Sequence, residues 1–497
     1  MKQQDTSNFS QAFWLFISHC SSFAFIIVSA AILARYIDKS EYGTYKQIMY
    51  VYATLQTIFV AGLSGIFSYF LPRLSIGQGK SLVNKFTLVL GLLGASFSLV
   101  LYFGSPIIAK ILNNDELISG LKIFALVPLF TLPTLGVECI YTALRKTSDI
   151  AFYQIVCKLL NLICVVVPVL VLQGSYKTAI TGWTISAFFI LLFTVWMKNR
   201  PYLKIKSELI PNMYKMVFSY STPLMLANIV GLFLHSANQF FISRYYGTAV
   251  FAEFSNGYIP VPFIGMIAGS VKNVLGPLFS KAHFEGNMKD IMQIYKNAVL
   301  KVAEIVFPIL VFCIFFAKDI MISLYGSQYA VSKIYFQVSI LKDFCEVVPY
   351  VFILLAFGKS IIYFYIHIIA AIFIWTIHAI ISYYHLHPVY IAIASSSSLI
   401  LMSGFVYWYC NQVLHLKLIQ PIIQHLLKVI IHASIILGAI YLFSDIFLSE
   451  QNSIMRIVLC LSMFYPILIE TGKMVNINYI ASLSNIINFF QKLKWKI

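Results

Sequence analysis

Charged side chains are scarce in this sequence. Asp, Glu, Lys and Arg together make up 11% of its 497 residues, whereas 60% are hydrophobic. Soluble globular domains carry about 25% charged residues. Apolar runs of about 20 residues recur from Phe13 to Ile469, and each can cross a hydrocarbon core about 30 Å thick. The composition therefore excludes a soluble domain and predicts an all-α polytopic membrane protein.

Motifs for metals and nucleotides are missing as well. The eight cysteines stand singly inside apolar segments without a CxxC pair, which argues against a zinc site or a disulfide framework. His385 and His387 share a short loop, but two histidines alone make a weak ligand set. No GxxxxGKS loop is present, so we do not expect ATP to be the direct energy source. We expect no metal and no organic cofactor.

Fourteen apolar spans with short connections can be placed along the chain, and no loop is long enough to form an extramembrane domain. After the last span, 476–497 has one apolar face followed by three lysines, which predicts an interfacial helix. The predicted spans are about 12–34, 44–70, 82–104, 119–144, 150–172, 178–197, 214–242, 250–279, 295–317, 331–357, 359–382, 388–411, 422–444 and 454–472.

The distribution of positive charge predicts the orientation. A net charge of +17 would suit a nucleic-acid partner, but Lys and Arg collect in alternate loops instead. One side holds roughly twice as many as the other, and Lys198 is counted there as a loop residue. Because cytoplasmic loops are the positive ones, we expect both termini in the cytoplasm and no nucleic-acid partner.

The chain begins again near its middle. When the two stretches are laid on each other, Arg35 meets Arg244 and Tyr36 meets Tyr245, each at the end of an apolar run. Six spans separate the copies, so both point the same way across the membrane, as in parallel-repeat transporters. Chance similarity between hydrophobic segments is the alternative. The predicted domains are a six-helix lobe at 1–208, a second at 209–415, and two further helices with a tail at 416–497.

The first turn carries a family resemblance. LARYI at 33–37 followed by EYGTY at 41–45 resembles the polysaccharide transporters, the Wzx-type lipid-linked oligosaccharide (O-antigen) flippases of the multidrug/oligosaccharidyl-lipid/polysaccharide exporter superfamily. The likeness is sharp over 30–75 and 235–285. The family often has an acidic residue near the end of span 7. Here Asn238 occupies that place, with His235 a turn earlier, which leaves ion coupling at this point open.

The resemblance implies a V-shaped protein of the bacterial inner membrane whose two lobes rock about a central cavity. It implies a cargo of oligosaccharide on polyprenyl pyrophosphate, moved to the outer leaflet for O-antigen or capsule, with Na⁺ or H⁺ as coupling ion. Expected partners are membrane lipids and a polysaccharide polymerase with its chain-length regulator. A multidrug or lipid II exporter of the same fold is the alternative. A membrane polymerase or glycosyltransferase fits less well, because the outer loops hold only scattered acidic residues.

Ionisable groups inside spans are the first candidate site residues, since they are costly in lipid and usually face a cavity or the bundle interior. In span 10, Lys342 and Glu346 are four residues apart, a spacing that permits a direct pair. They line a cavity, as an ion-linked switch, or neutralise each other in packing; Asp343 suits either role. Lys158 and Lys272 lack an acidic neighbour at helical spacing and need water, an anion or a partner helix.

Polar stripes on spans 1 and 7 are a second candidate feature. His19 in span 1 and Asn228, His235 and Asn238 in span 7 would line a shared lumen or form hydrogen bonds between helices. Arg35 and Arg244 would touch departing substrate, but interfacial anchoring explains them as well. Tyr258 is placed to stack on a sugar ring. The substrate and cavity candidates are thus Lys158, Lys272, Lys342, Glu346, His235, Asn238, Asn228, His19, Arg35, Arg244 and Tyr258.

Overall fold

A computed structural model describes residues 8–60, 62–261, 264–286, 288–348, 351–412 and 420–481. All regular elements among them are helices, and no strand occurs in these ranges. Eleven helices of the described chain are long and apolar enough to cross a membrane. The predicted all-α polytopic fold is therefore confirmed.

Three predicted spans fall outside that set: 44–70, 250–279 and 331–357. Each is divided among shorter elements. The first helix of 44–70 ends at Val60, shortly before Gly62 adopts a left-handed conformation (φ 72°). In 250–279 the helix stops at Gly257 and a new one begins at Ile264. Pro260 lies in that gap, where its ring and missing N–H oppose a continuous helix.

The chain forms two compact units, and the first comprises Met1–Ala252. Within it α1 packs on α8, α8 on α9, and α10 on α2 and α4. Its helices are α1 (Asn8–Tyr36), α2 (Lys39–Val60), α3 (Ile66–Phe70), α4 (Ile76–Leu112), α5 (Glu116–Phe124), α6 (Val127–Thr131), α7 (Val137–Ala143), α8 (Thr147–Leu172), α9 (Tyr176–Asn199) and α10 (Met213–Tyr245).

The second unit comprises Glu253–Ile497. In it α13 packs on α19, α15 and α17 pack on α18, and α19 packs on α20. Its helices, the first of which begins before the unit boundary, are α11 (Gly247–Gly257), α12 (Ile264–Glu285), α13 (Met288–Phe315), α14 (Ala317–Tyr325), α15 (Lys333–Glu346), α16 (Val351–Ala356), α17 (Ser360–Tyr383), α18 (Val389–Gln412), α19 (Gln420–Phe447) and α20 (Ser453–Met474).

The helix order of the first copy recurs in the second at a nearly constant interval. The start of α8 precedes the start of α17 by the same interval that separates the start of α9 from the start of α18. The ends of α4 and α14 are separated by that interval too, and the starts of α2 and α11 by a slightly shorter one. The predicted repeat thus extends to the helix boundaries. The lobes predicted at 1–208, 209–415 and 416–497 stay a prediction, and 482–497 of the expected interfacial tail lies outside the described residues.

Candidate functional site

The interruption between α11 and α12 exposes backbone polar groups that a continuous helix would satisfy. Backbone at membrane depth needs such partners from elsewhere, because lipid offers none. Two side chains of α15 supply them. The Ser339 hydroxyl donates to the Ile259 carbonyl at 2.9 Å, and the Val261 N–H donates to Asp343 Oδ2 at 2.9 Å. The non-helical segment is therefore held in place by α15.

An ion pair lies directly beside this interruption. Lys342 Nζ donates to Asp343 Oδ1 at 2.8 Å, and the two side chains are 11% and 0% exposed. The two carboxylate oxygens of Asp343 thus have different partners, a backbone N–H and an ammonium. Lys342 thus pairs with Asp343 and not with Glu346, the partner that helical spacing also permits. Glu346 is exposed, whereas Asp343 is buried and accepts from the Val261 N–H.

Tyr258 connects this pair to α18. Its hydroxyl is 2.9 Å from Ser396 Oγ, and its ring stacks on Phe254 with centroids 5.0 Å apart. The Lys342 ammonium lies 5.7 Å from the centre of the Tyr258 ring, within the range of a cation–π contact. We call Tyr258, Ser339, Lys342, Asp343 and Ser396 the unit 2 cluster.

The unit 2 cluster combines an immobilised carboxylate with an incompletely satisfied cation. A lysine ammonium has three N–H donors. Among the described residues, only Asp343 accepts a hydrogen bond from Lys342, and part of the lysine side chain is exposed. Such an ammonium can bind an anionic group without first losing every protein contact. Lys272 lies in the neighbouring helix α12, but its side chain is outside the described part of the structure.

In the first unit, Lys158 has an acidic neighbour after all, supplied by a different helix. It lies in α8 and interacts electrostatically with Glu138 of α7. One turn earlier, the Gln154 amide donates to Glu138 Oε1, and Gln154 Oε1 accepts from Ser22 of α1 at 3.4 Å. Lys158 therefore lies one turn from a polar chain across α1, α8 and α7, which is formed by Ser22, Gln154 and Glu138.

The polar stripes on α1 and α10 are largely accessible. His19, Asn228 and His235 are exposed, and Asn238 is half-buried with its Oδ1 accepting from the Gln239 N–H at 2.7 Å. Polar groups exposed on helices this apolar favour an aqueous surface over lipid contact. The shared lumen predicted for these residues stays a prediction.

The two arginines at the matching helix ends differ. Arg35, in the last turn of α1, is exposed. Arg244, in the last turn of α10, is half-buried, and its guanidinium donates to the Ile111 carbonyl near the end of α4. It also lies 5.4 Å from the ring of Tyr245. Because helix ends carry unsatisfied carbonyls, Arg244 caps α4 and so has a structural role.

Comparison with known proteins gives the family. The model of a family described as polysaccharide biosynthesis protein matches residues 32–334, more than half of the chain. The chain belongs to that family. The family resemblance in the first turn is thereby confirmed. None of the curated proteins matches the chain by sequence.

Solved structures show the same fold for this member of the polysaccharide biosynthesis family. The lipid II flippase MurJ in an inward closed conformation is similar with a TM-score of 0.65 and 14% identity, over 93% of this chain and 100% of that one. An inward-facing multidrug resistance MATE transporter of the MOP superfamily is similar with a TM-score of 0.60 and 12% identity, over 80% of this chain and 95% of that one. A MOP superfamily transporter from Pyrococcus furiosus is similar with a TM-score of 0.53 and 13% identity, over 82% of this chain and 95% of that one. Family and fold together indicate a polytopic membrane protein of polysaccharide biosynthesis.

Two residues that matter in this member of the family were missed or misplaced by prediction from the sequence. The sequence prediction ranks Asp343 behind Glu346, because the contact of Asp343 with Val261 is not visible in helical spacing. The sequence prediction places Lys198 in a loop, but in the structure it is only 3% exposed at the end of α9. Its ammonium makes three hydrogen bonds, which go to the carbonyls of Pro133 and Leu135 at 2.7 Å each and to Thr87 Oγ1 at 3.2 Å. The available signal in the sequence was Pro133, which breaks a span and frees carbonyl groups that a lysine at the end of another span can bond.

Proposed function

We propose that this protein is a flippase that moves polyprenyl-pyrophosphate-linked oligosaccharide units across the bacterial inner membrane by alternating access, for O-antigen or capsule biosynthesis. The observation that carries the proposal is the partly accessible Lys342 side chain, with a single hydrogen-bond acceptor among the described residues, beside the broken span 8 in a chain of the polysaccharide biosynthesis family. Both termini would lie in the cytoplasm, and a polymerase and chain-length regulator would act on the delivered unit.

An anionic headgroup is the chemistry that suits this site. A pyrophosphate presents several acceptor oxygens, and Lys342 has donors beyond the one that Asp343 uses. Broken helices that present backbone and charge near the bilayer midplane are the substrate and ion sites of many transporters. The hydroxyls of Tyr258 and Ser396 are 2.9 Å apart and offer further polar contacts beside the ammonium.

The exposed polar stripes of α1 and α10 support a hydrated path for the glycan. Oligosaccharides carry many hydroxyl groups, and each would be costly to bury without a hydrogen-bond partner. His19, Asn228 and His235 provide such partners on helices that are otherwise apolar. The lipid tail needs no such path, since it can remain in the bilayer while the headgroup crosses.

Reconstitution in liposomes tests the proposal. Purified protein would be incorporated with a fluorescent lipid-linked oligosaccharide, and transfer between leaflets would be followed by quenching from outside. We expect rapid exchange that depends on the protein and falls at least tenfold for Lys342→Met, whose stem matches lysine but has no charge. Exchange no faster than in protein-free vesicles would reject the flippase.

A multidrug exporter is the second candidate, because the MATE transporters share the fold. The same vesicles separate the two functions. Protein-dependent transport of a cationic dye such as ethidium, without movement of the lipid-linked oligosaccharide, would favour the exporter. Glycan elongation by the purified protein alone would favour a polymerase.

A further inference from the structure

An exposed carboxylate follows a helix break inside an apolar span of the first unit. The span Glu116–Ala143 is interrupted before α7, and Glu138 lies in the first turn of that helix. Gly136, just before it, adopts a left-handed conformation (φ 93°), and a Cβ at this position would overlap the ring of Phe67. Only glycine fits there, so local packing fixes the point at which α7 begins.

One oxygen of the Glu138 carboxylate is held, and the other is free. Oε1 accepts from the Gln154 amide of α8, and Gln154 Oε1 accepts from the Ser22 hydroxyl at 3.4 Å. In the described part of the chain, no group donates to Glu138 Oε2. Glu138 is therefore oriented by Gln154 and, being exposed, still presents one acceptor oxygen.

Lys158 supplies the complementary donors. It lies within the apolar span Thr147–Leu172, one turn along α8 from Gln154, and is half-buried. It interacts electrostatically with Glu138, but among the described residues no direct ion pair joins them and no acceptor bonds the ammonium. Lys198, in contrast, bonds three acceptors. Lys158 thus has three N–H donors for a ligand.

A purely structural role does not account for these free groups. Polar residues of membrane helices often hydrogen-bond a neighbouring helix, and Ser22 and Gln154 do so. Glu138 Oε2 and the Lys158 ammonium have no such partner in the described structure, although an ionisable group inside an apolar span is costly and usually faces water or a substrate path. Glu138 and Lys158, which we call the unit 1 site, are therefore available to a ligand.

The free groups indicate what kind of ligand fits. In the second unit both oxygens of Asp343 have partners, so only ammonium donors remain, which suits an anion. The unit 1 site offers donors and an acceptor together, and its two charges cancel. A hydroxyl group both donates and accepts hydrogen bonds. The unit 1 site therefore suits an uncharged ligand that carries several hydroxyl groups.

We propose that the unit 1 site binds an uncharged sugar residue. Neighbouring hydroxyls of the ring would accept from the Lys158 ammonium and donate to Glu138 Oε2, while Gln154 holds the carboxylate in place. The inference rests on the proposed function, because a lipid-linked glycan is the source of the sugar.

Binding of uncharged glycolipids to the full-length protein in nanodiscs tests the inference without sugar-based detergents. The probes are geranylgeranyl β-glycosides of glucose, galactose, mannose and N-acetylglucosamine, and geranylgeraniol is the reference for the lipid tail. We expect at least one glycoside to bind about tenfold more tightly than geranylgeraniol, as for one hydrogen bond to a charged group. We call this difference the sugar gain. The glucuronide should bind no more tightly than the glucoside, because its carboxylate would repel Glu138.

Two variants locate the sugar gain. Glu138→Gln keeps the shape of the side chain but loses its negative charge, and Lys158→Met keeps the stem but loses the ammonium. Each should abolish the sugar gain and leave the binding of geranylgeraniol unchanged. Glu116→Gln, at an exposed carboxylate of α5 that pairs with Lys177 at 3.5 Å, is the matched control and should bind as the wild type does.

The inference is overturned if no glycoside binds more tightly than geranylgeraniol, if the glucuronide binds more tightly than the glucoside, or if either variant of the unit 1 site keeps the sugar gain. An equal loss in Glu116→Gln would overturn it too. The wild-type comparison needs no variant, so a misfolded variant does not remove the test. Flipping in liposomes is measured separately: flipping without a sugar gain rejects this inference alone, and a sugar gain without flipping rejects only the flippase.

Discussion

Two buried lysines beside broken helices, Lys198 in the first unit and Lys342 in the second, have opposite surroundings. Lys198 is 3% exposed and directs its ammonium at three uncharged oxygens, so each of its N–H donors has an acceptor. Lys342 pairs with a buried carboxylate and has an exposed edge. An ammonium whose three N–H groups all have acceptors, as in Lys198, stabilises the fold and has no donor left for a ligand. A partly satisfied ammonium beside a carboxylate has donors left for another partner, and our proposal that Lys342 binds the anionic headgroup rests on this difference.

The repeat shows the same contrast at another position. Aligning the first residues of α2 and α11 places Tyr52 at the position of Pro260 in the broken segment. In the first unit the Tyr52 hydroxyl is 2.7 Å from Thr131 Oγ1, a neutral contact between α2 and the last residue of α6. The interval that relates α8 to α17 places Asp343 at the position of Phe130, next to Thr131. One copy thus has a neutral contact where the other has an opened backbone and a charge pair.

The largest effect should follow from removing the saturated lysine. Lys198→Met leaves the Pro133 and Leu135 carbonyls without their donor, and buried unsatisfied groups cost about 1–3 kcal/mol each. We expect the free energy of unfolding to fall by about 3 kcal/mol, seen as a lower apparent melting temperature in detergent. Flipping per folded molecule should stay the same. Lys206→Met, at an exposed lysine of the following loop, is the control, and equal melting of both variants would contradict the structural role.

Removing the partly satisfied lysine, Lys342, should mainly reduce flipping, whereas removing Lys198 should reduce only stability. Lys342→Met should lower flipping at least tenfold, because it removes the group that we propose binds the anion. It also leaves Asp343 without its cation, so some stability is lost. The double variant Lys342→Met with Asp343→Asn should regain the melting temperature but not the flipping rate. Recovery of flipping in the double variant would show that Lys342 matters only for neutralising Asp343.

Local composition was enough to predict the fold and to find Lys342. Runs of about 20 apolar residues determine which segments cross the membrane, and a lysine inside such a run is visible without any tertiary information. Pro260 likewise opposes a continuous helix whatever its surroundings, although the extent of the interruption depends on the partners that stabilise it. These features are properties of short stretches of chain.

The partners of these residues could not be predicted in the same way. Asp343 bonds Val261, which is 82 positions away, and Lys198 bonds Pro133, which is 65 away. Helical spacing relates residues three or four apart and pointed to Glu346 instead. Lys198 was assigned to a loop because α9 extends slightly beyond the apolar run that marked its span. Contacts between distant helices therefore set the roles of both lysines.

A smaller effect should distinguish the Ser339 hydroxyl, which bonds the interrupted backbone, from an ordinary buried hydroxyl. Ser339→Ala removes the donor to the Ile259 carbonyl, which has no helical partner to replace it, and should cost about 1 kcal/mol. Ser105→Ala is the matched control: that hydroxyl is also fully buried, but it donates to the Tyr102 carbonyl of its own helix. The apparent melting temperature should therefore fall more in Ser339→Ala than in Ser105→Ala. A larger loss in Ser105→Ala would indicate that the interruption is stabilised by other contacts.

The smallest effect is expected at the neutral contact in the first unit. Tyr52→Phe removes the hydroxyl bonded to Thr131 but keeps the ring, which stacks on Phe97 at 5.7 Å and meets Phe124 edge-on at 5.3 Å. Because most of the packing remains, the free energy of unfolding should fall by only about 0.5 kcal/mol. Flipping should match the wild type, in contrast to the loss in Lys342→Met. A tenfold fall in flipping for Tyr52→Phe would show that the Tyr52–Thr131 contact of the first unit matters for transport as much as Lys342 does. The proposal that the second unit alone binds the anionic headgroup would then be wrong.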